Sequence, residues 1–278
     1  MCIRDSFIVV WEDDLDENGI YEIFARGFNA DGSQRFEQFT VNSVSQGQQL
    51  RPQIACDSKG NFVVVWQDDN DKNGYYEILG RGFNSDGNEN ISQFTVNSVS
   101  RGQQLTPKVA RNDDGYFAVV WEDKKTNGSK KELKARVFAA NGSEHLSQFS
   151  VNSVSSGHQR MPSVSISKSG SLLFAWEDDR DNNGYYEIFG RIFNPDGSVK
   201  INDFKVNDVS DGQQFQPNAV FGTGNEFTIV WQDDQDGNGK YEILAKGYKE
   251  NGSSNFGTIT VNSDSRGQQL TPRIAFRK

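Results

Sequence analysis

Short apolar runs, separated by turn residues, recur along the whole chain. In one copy of the pattern the runs cover 51–55, 62–66, 75–83 and 93–98. The run 62–66 is continuously apolar, which predicts a strand buried on both faces. The run 93–98 alternates and directs Phe94 and Val96 inward. Because no segment combines a helical period with caps, the pattern predicts an all-β chain.

The runs belong to an internal repeat. The five tryptophans follow one another at intervals of 55 residues, at Trp11, Trp66, Trp121, Trp176 and Trp231. Each copy contains Pro-x-Ile-Ala, a Gly turn, Phe-Val-Val-Val-Trp, an acidic loop, Tyr-Glu-Ile-x-x-Arg-x-Phe and Phe-x-Val-Asn-Ser, with substitutions. Four short strands in a repeat of this size are typical of a propeller blade, whereas an immunoglobulin-like sandwich needs about 100 residues. We expect the tryptophans to pack between blades.

The repeat therefore predicts a five-bladed β-propeller of four-stranded antiparallel blades. The first blade lacks its first strand, and 271–276 supply such a strand at the other end of the chain. We expect N- and C-terminal strands to pair in one blade, because closure removes exposed sheet edges. Residues 1–278 then form one domain, with blade units 7–50 plus 271–276, 51–105, 106–160, 161–215 and 216–270. Residues 1–6 match no other copy and are interpreted as a non-native scar; a fragment of a longer array is the alternative.

The acidic loop after each tryptophan is a candidate metal site. Its order Asp-x-Asp-x-Asn-Gly-x-x-Glu places oxygens at alternate positions, which suits Ca²⁺. The third copy has Lys124 and Thr126 in place of two Asp. Up to four calcium ions are therefore predicted, with ligands Asp14, Asp16, Asn18, Glu22; Asp69, Asp71, Asn73, Glu77; Asp179, Asp181, Asn183, Glu187; and Asp234, Asp236, Asn238, Glu242. A solvated turn stays open as the alternative, since Asp, Asn and Gly favour hairpin turns by themselves.

Recurrent amides form a second candidate site. The glutamines Gln49, Gln104, Gln159, Gln214 and Gln269 occur in every copy and should share a face with the acidic loops. They are candidate ligand-binding groups, able to hydrogen-bond a sugar or a partner's backbone. The alternative is that each glutamine holds the connection between two blades. Recurrent asparagines at Asn42, Asn97, Asn152, Asn207 and Asn262 are expected to bond the backbone.

Composition narrows the partners. Lys and Arg number 29 against 38 Asp and Glu, which gives a net charge of -9 and argues against nucleic acid. No apolar run approaches the roughly 20 residues that span a bilayer, so membrane insertion is not expected. The two cysteines, Cys2 and Cys56, show no spacing of a disulfide framework or metal-thiolate site.

The stretch GNFVVVWQDD…YYEILGRGFNSDG…QFTVNSVS resembles the tandem repeats of large secreted or surface-attached bacterial proteins. The resemblance covers residues 7–276 and implies export, hence an extracellular or cell-surface location. It also implies a binding or scaffold role. The acidic loops are similar to the calcium hairpins of integrin-type propellers.

The function expected from these features is a calcium-stabilised binding or adhesion module for a glycan or protein, as a monomer or a module of a larger chain. No catalytic residues are predicted, because the acids recur at matching positions whereas an active site needs residues in different roles. Two alternatives stay open: a glycoside-active enzyme, since five-bladed propellers host glycosidases, and a structural scaffold in a longer surface protein.

Overall fold

The computed structural model describes residues 6–125 and 130–276. In this part of the chain there are nineteen strands and no helix, hence none long and apolar enough to cross a membrane. Thr126 and Cys2 lie outside the described residues, as do 1–5 of the interpreted scar. Cys56 is disulfide-bonded, although the spacing of the two cysteines shows no disulfide framework.

The strands form antiparallel sheets in chain order, which confirms the all-β prediction. One sheet has three strands, β1 (Ser6–Asp13), β2 (Glu22–Asn29) and β3 (Gln34–Thr40). Four sheets have four strands each: β4 (Gln49–Cys56), β5 (Phe62–Asp68), β6 (Glu77–Phe83), β7 (Glu89–Thr95); β8 (Gln103–Arg111), β9 (Phe117–Lys124), β10 (Lys131–Phe138), β11 (Glu144–Ser150); β12 (Gln159–Ile166), β13 (Leu172–Asp178), β14 (Glu187–Phe193), β15 (Val199–Lys205); and β16 (Gln214–Phe221), β17 (Phe227–Asp233), β18 (Glu242–Tyr248), β19 (Ser254–Thr260).

The chain divides into two compact units. The first unit comprises Met1–Ser129 and Lys134–Phe149, and the second comprises Lys130–Leu133 and Ser150–Lys278. In both units the first strand of one sheet packs against the first strand of the next, as β4 does against β8 and β12 against β16. Successive sheets in each unit are thus stacked through their first strands.

The second strand of each four-stranded sheet is the centre of the core. Every residue of β5, β13 and β17 is buried, as the continuous apolar run predicts. Trp66 of β5 lies in one apolar cluster with Ile23 and Ala25 of β2, and Trp121 of β9 lies in another with Val63 and Val65 of β5. The prediction that the tryptophans pack between sheets is therefore confirmed for these two.

The asparagine that follows the fourth strand ends the ladder. Asn97 accepts a hydrogen bond from the amide of Ile78 through Oδ1 at 2.8 Å and donates to the carbonyl of Val99 at 3.1 Å. The same Oδ1 bond recurs at Asn42, Asn152, Asn207 and Asn262. The asparagine side chain takes the place of a backbone partner. As a result β7 ends at Thr95, whereas the sequence pattern predicts a strand that continues to residue 98.

The predicted pairing of the two chain ends is not confirmed. Residues 271–276 contain no strand, and the sheet of β1 has three strands in the described part of the chain. The segment is held instead by side chains of the last sheet. The amide of Thr271 donates to Gln232 at 2.9 Å, and the amide of Ile274 donates to Asn218 at 3.0 Å.

The asparagine contact predicts a measurable loss of stability. Replacing Asn97→Ala leaves the amide of Ile78 without its acceptor in a buried position, which should lower the free energy of unfolding by about 1–3 kcal/mol. Asn90→Ala, at an exposed position of β7, should change it by less than about 0.5 kcal/mol. Urea unfolding of both variants and the parent measures the difference; equal stabilities of the two variants would contradict the assignment.

Candidate functional site

The acidic loops satisfy their own backbone amides. In the second copy Asp69 accepts a hydrogen bond from Gly74 at 3.1 Å, and Asp71 accepts from the Asn73 side chain at 2.6 Å. Asn73 in turn accepts from the amide of Tyr75 at 2.6 Å. The equivalent bonds recur in the loops of Asp14, Asp179 and Asp234. The loop therefore has a turn conformation held by side-chain acceptors.

These carboxylates do not converge on one centre. Among residues 6–125 and 130–276, no group of three or more His, Cys, Asp or Glu side chains is arranged to hold a metal ion. In the fourth loop Glu187 is instead engaged by Ser210 and by Lys205. Calcium binding at the loops stays a prediction.

The glutamine pairs lie against the acidic loops, as expected. The first glutamine of a pair brackets the loop: Gln103 accepts from the amide of Tyr76 at 3.0 Å and donates to the carbonyl of Gly74 at 2.7 Å. Gln48, Gln213 and Gln268 do the same in their copies. The glycine before the pair packs against the next acidic loop, since a Cβ on Gly47 would lie 1.7 Å from the Asp69 carbonyl oxygen.

The second glutamine, which the sequence offers as a ligand-binding group, is engaged inside the connection. Gln49, Gln159 and Gln214 are fully buried, and Gln104 nearly so. Gln49 donates to the carbonyl of Gln46 at 2.8 Å, and Gln159 and Gln214 make the equivalent bond. Gln104 and Gln269 donate to the equivalent carbonyl oxygens, of Arg101 and Arg266, at 3.4 Å. Buried side chains with protein partners hold the turn, and a ligand role for the five glutamines stays a prediction.

A position that sequence reasoning missed lies two residues further on. In each copy the residue before the proline has a positive φ: Arg51 (55°), Thr106 (51°), Met161 (49°), Gln216 (54°) and Thr271 (54°). At the first four of these positions the strand register shifts, as in a β-bulge. The chain is thus kinked at the start of each of these first strands.

A side chain of the preceding sheet holds the kink. Gln67, the residue after Trp66, accepts a hydrogen bond from the amide of Thr106 at 2.7 Å, and Glu177, the residue after Trp176, accepts one from the amide of Gln216 at 2.8 Å. Glu12 does the same for Arg51, and Gln232 for Thr271. Since both glutamate and glutamine occur at this position, the bond itself needs only an acceptor oxygen.

The residues around the kink differ from copy to copy. Before it stand Leu50, Leu105, Arg160, Phe215 and Leu270, and after the proline stand Gln53, Lys108, Ser163, Asn218 and Arg273. Elsewhere the copies retain most residue types. The divergence that an active site requires is therefore present at the first strands, whereas four of the five acidic loops agree. An internal alignment of the copies contains this signal.

In the second unit the divergent residues form a cluster with two recurrent tyrosines. The Arg160 guanidinium lies 3.7 Å from the ring centre of Tyr186 and 5.4 Å from that of Phe215. Phe215 also packs beside Tyr241, with ring centres 5.8 Å apart. Arg160 Nε donates to Glu177 at 2.7 Å. A cation, a carboxylate and three aromatic rings thus meet at one place, which we call the Arg160 cluster.

Burial separates the roles within the cluster. The Glu177 side chain is 2% exposed, whereas that of Arg160 is 33% exposed. Glu177 therefore lies behind Arg160, where it orients the guanidinium and the Gln216 amide. Burial, and then nearby Asp234 and Glu177, raise the pKa of the half-buried Tyr241, so its hydroxyl stays neutral and can donate a hydrogen bond. The cluster presents donors and ring surfaces outward.

Comparison with known proteins extends the description. No protein-family model and no curated protein matches the sequence. A solved protein of unknown function from Dyadobacter fermentans has a similar fold, with a TM-score of 0.62, 11% identity, and coverage of 98% of this chain and 84% of that one. An α-L-arabinofuranosidase of Fusarium graminearum with an iminosugar inhibitor has a TM-score of 0.58 and 13% identity, with coverage of 96% and 80%. The complex of the α-L-arabinofuranosidase of Fusarium graminearum with arabinobiose has a TM-score of 0.57 and 14% identity, with the same coverage of both chains.

These similarities correct the expected function. The sequence favours a non-enzymatic, calcium-stabilised binding or adhesion module, and that expectation is contradicted, since solved structures with a similar fold include glycoside hydrolases. The finding supports the alternative of a glycoside-active enzyme. The prediction was wrong because it considered the acidic loops, four of which agree, and overlooked the divergence at the first strands. At these identities the similarity shows the fold alone.

Buried carboxylates two residues after the tryptophans give a pH-dependent stability. Asp68 accepts from Trp66 Nε1 at 2.7 Å, and Asp233 accepts from Trp231 Nε1 at 2.7 Å. Burial raises the pKa of both groups to about 6, although the indole donors favour the ionised form. The folded state therefore binds protons at a higher pH than the unfolded chain does.

The free energy of unfolding should consequently rise as the pH falls from 7 to 5. Stabilisation by these two groups is complete below the ordinary aspartate pKa near 4 and is lost as the pH rises through about 6. Urea unfolding at pH 7, 6 and 5 measures the slope, and the double variant Asp68→Asn, Asp233→Asn should flatten it. A stability that falls over this interval, or the same slope in the variant, would refute the assignment.

Proposed function

We propose that the protein is a glycoside hydrolase that acts on an arabinose-containing glycan, with the Arg160 cluster as part of its substrate site. The observation that carries the proposal is the cluster itself, which brings a cation, a carboxylate and aromatic rings to the place where the copies diverge. The similarity in fold to an α-L-arabinofuranosidase supports the choice of substrate.

The chemistry of the cluster suits a sugar. A furanose ring has an apolar face of C–H groups, which can pack on the rings of Phe215 and Tyr241. Its hydroxyl groups need hydrogen-bond partners once they leave water. Arg160 can supply guanidinium N–H groups from its exposed side, and Tyr241 can supply its neutral hydroxyl. Binding thus combines stacking with a few placed polar groups.

Glu177 is a positioning residue in this proposal. Its two carboxylate oxygens accept hydrogen bonds from Arg160 Nε and from the Gln216 amide. The Glu177 side chain is buried, so substrate does not reach it. Its negative charge fixes the guanidinium in one orientation over Tyr186. In the second copy the pair that corresponds to Arg160 and Glu177 is Leu50 opposite Gln67. The fold therefore does not require an ion pair at these two positions.

The finer architecture is part of the proposal. The five sheets would be the blades of one propeller, and 271–276 would pair with β1 to complete the three-stranded sheet. The segment carries the sequence Thr-Pro-Arg-Ile-Ala-Phe, which corresponds to the first strand of the other copies. An extracellular or cell-surface location, expected from the resemblance to secreted repeat proteins, agrees with action on a polymeric glycan.

Hydrolysis is the direct test. The protein should release arabinose from arabinobiose or from an aryl α-L-arabinofuranoside, measured by reducing-sugar or chromophore release. Phe215→Leu introduces the leucine that three other copies have at this position, and it should lower kcat/KM about tenfold or more through lost stacking. The double variant Arg160→Leu, Glu177→Gln should lower it further, because it removes the oriented donor.

The double variant is designed to fold, since it reproduces the Leu50 and Gln67 pair of the second copy. Its melting temperature should stay within a few degrees of the parent, and Gln232→Glu serves as a control substitution at the same repeat position. Absence of hydrolysis by the parent protein on every arabinose-containing substrate would refute the proposed function. Full activity of the folded double variant would exclude the Arg160 cluster as the site.

A further inference from the structure

The kinked residue before each proline has a backbone conformation that its side chain disfavours. A positive φ is rare for residues other than glycine and asparagine, and it is a clear outlier for β-branched residues such as Thr106 and Thr271. The residue before a proline is normally extended, which adds to the cost. Glycine is the usual solution at a bulge of this kind. Here none of the five positions has glycine.

The structural role of the kinked position does not explain why it carries side chains other than glycine. The contact that holds the kink runs through the main-chain amide, as at Gln216, whose N–H donates to Glu177. Glycine would offer the same amide without the strain. The side chains at the five positions are Arg, Thr, Met, Gln and Thr, so they share neither size nor charge. Strained residues of this kind collect at functional sites, where the side chain is needed.

We propose that Gln216, the kinked residue beside the Arg160 cluster, contacts the sugar there and determines substrate specificity. The proposal rests on the proposed function and deepens it. Gln216 follows Phe215, whose ring lies between Tyr186 and Tyr241. Its amide is fixed by the carboxylate that also fixes Arg160. Glu177 therefore fixes both the guanidinium of Arg160 and the main chain from which the half-buried Gln216 side chain extends.

The chemistry of the cluster defines the substrate class. The charge of Arg160 is balanced by Glu177, and Asp234 lies close enough to Tyr241 to affect its hydroxyl electrostatically. A carboxylated sugar would therefore find no excess positive charge. The neutral amide of Gln216 both donates and accepts hydrogen bonds, which suits hydroxyl groups. The site is matched to a neutral sugar unit and discriminates against a uronic acid.

A glycine substitution separates strain from function. Gln216→Gly keeps the main-chain amide, relieves the positive φ and removes only the side chain. The melting temperature should be unchanged or higher, whereas kcat/KM on arabinobiose should fall at least tenfold. Lys72→Gly is the matched control: Lys72 also has a positive φ (56°), in the exposed acidic loop, and the corresponding residue of the last copy is the natural Gly237 (φ 64°). This control should keep full activity.

The outcomes distinguish the two proposals. A parent protein without hydrolytic activity overturns the proposed function, and this inference with it. An active parent whose Gln216→Gly variant is equally active overturns the inference alone. A Gln216→Gly variant that melts at a lower temperature assigns the side chain to folding and also overturns it. Loss of activity at an unchanged or raised melting temperature, with the Lys72→Gly control active, is the result that the inference requires.

Discussion

The hydrogen bond from a kinked main-chain amide to a glutamate or glutamine of the preceding sheet is the contact on which the rest of the architecture depends. Among the described residues it is made at Arg51 and Thr106 in the first unit and at Gln216 and Thr271 in the second. In both units it joins the end of a second strand to the start of the next first strand. Without it, a positive φ before proline would have no compensating interaction.

Because this contact uses only main-chain and acceptor atoms, the residues that build the fold are different from those that vary beside the kink. The buried second strands, the tryptophans, the asparagines and the second glutamines recur because they build the same sheet and connection each time. The kink needs only an amide and an acceptor oxygen, so the side chains beside it can vary without loss of the fold. Arg160 and Phe215 occupy that variable place, and their aromatic neighbours Tyr186 and Tyr241 come from the recurrent part of the repeat. A repeated scaffold thereby carries a unique cluster.

Much of the fold follows from the sequence because period and burial act locally. The run 62–66 predicts a fully buried strand, and β5 is one. The end of β7 could not be predicted, because a side chain, Asn97, takes the amide of Ile78 in place of a backbone carbonyl. The acidic loops drew attention through composition, although their oxygens serve the loop's own amides. The Arg160 cluster depends on contacts between distant residues, and the left-handed conformation of Gln216 leaves no trace in hydrophobic pattern.

The central claim is that a sugar binds where the copies diverge, beside the kinked residues. A crystal structure of the protein soaked with arabinobiose tests it most directly, because it reports the place of binding independently of turnover. The account predicts a furanose ring packed on Phe215 and Tyr241, within hydrogen-bond distance of Arg160 and Gln216. Electron density for the sugar at the acidic loops, or elsewhere with the Arg160 cluster empty, would contradict it.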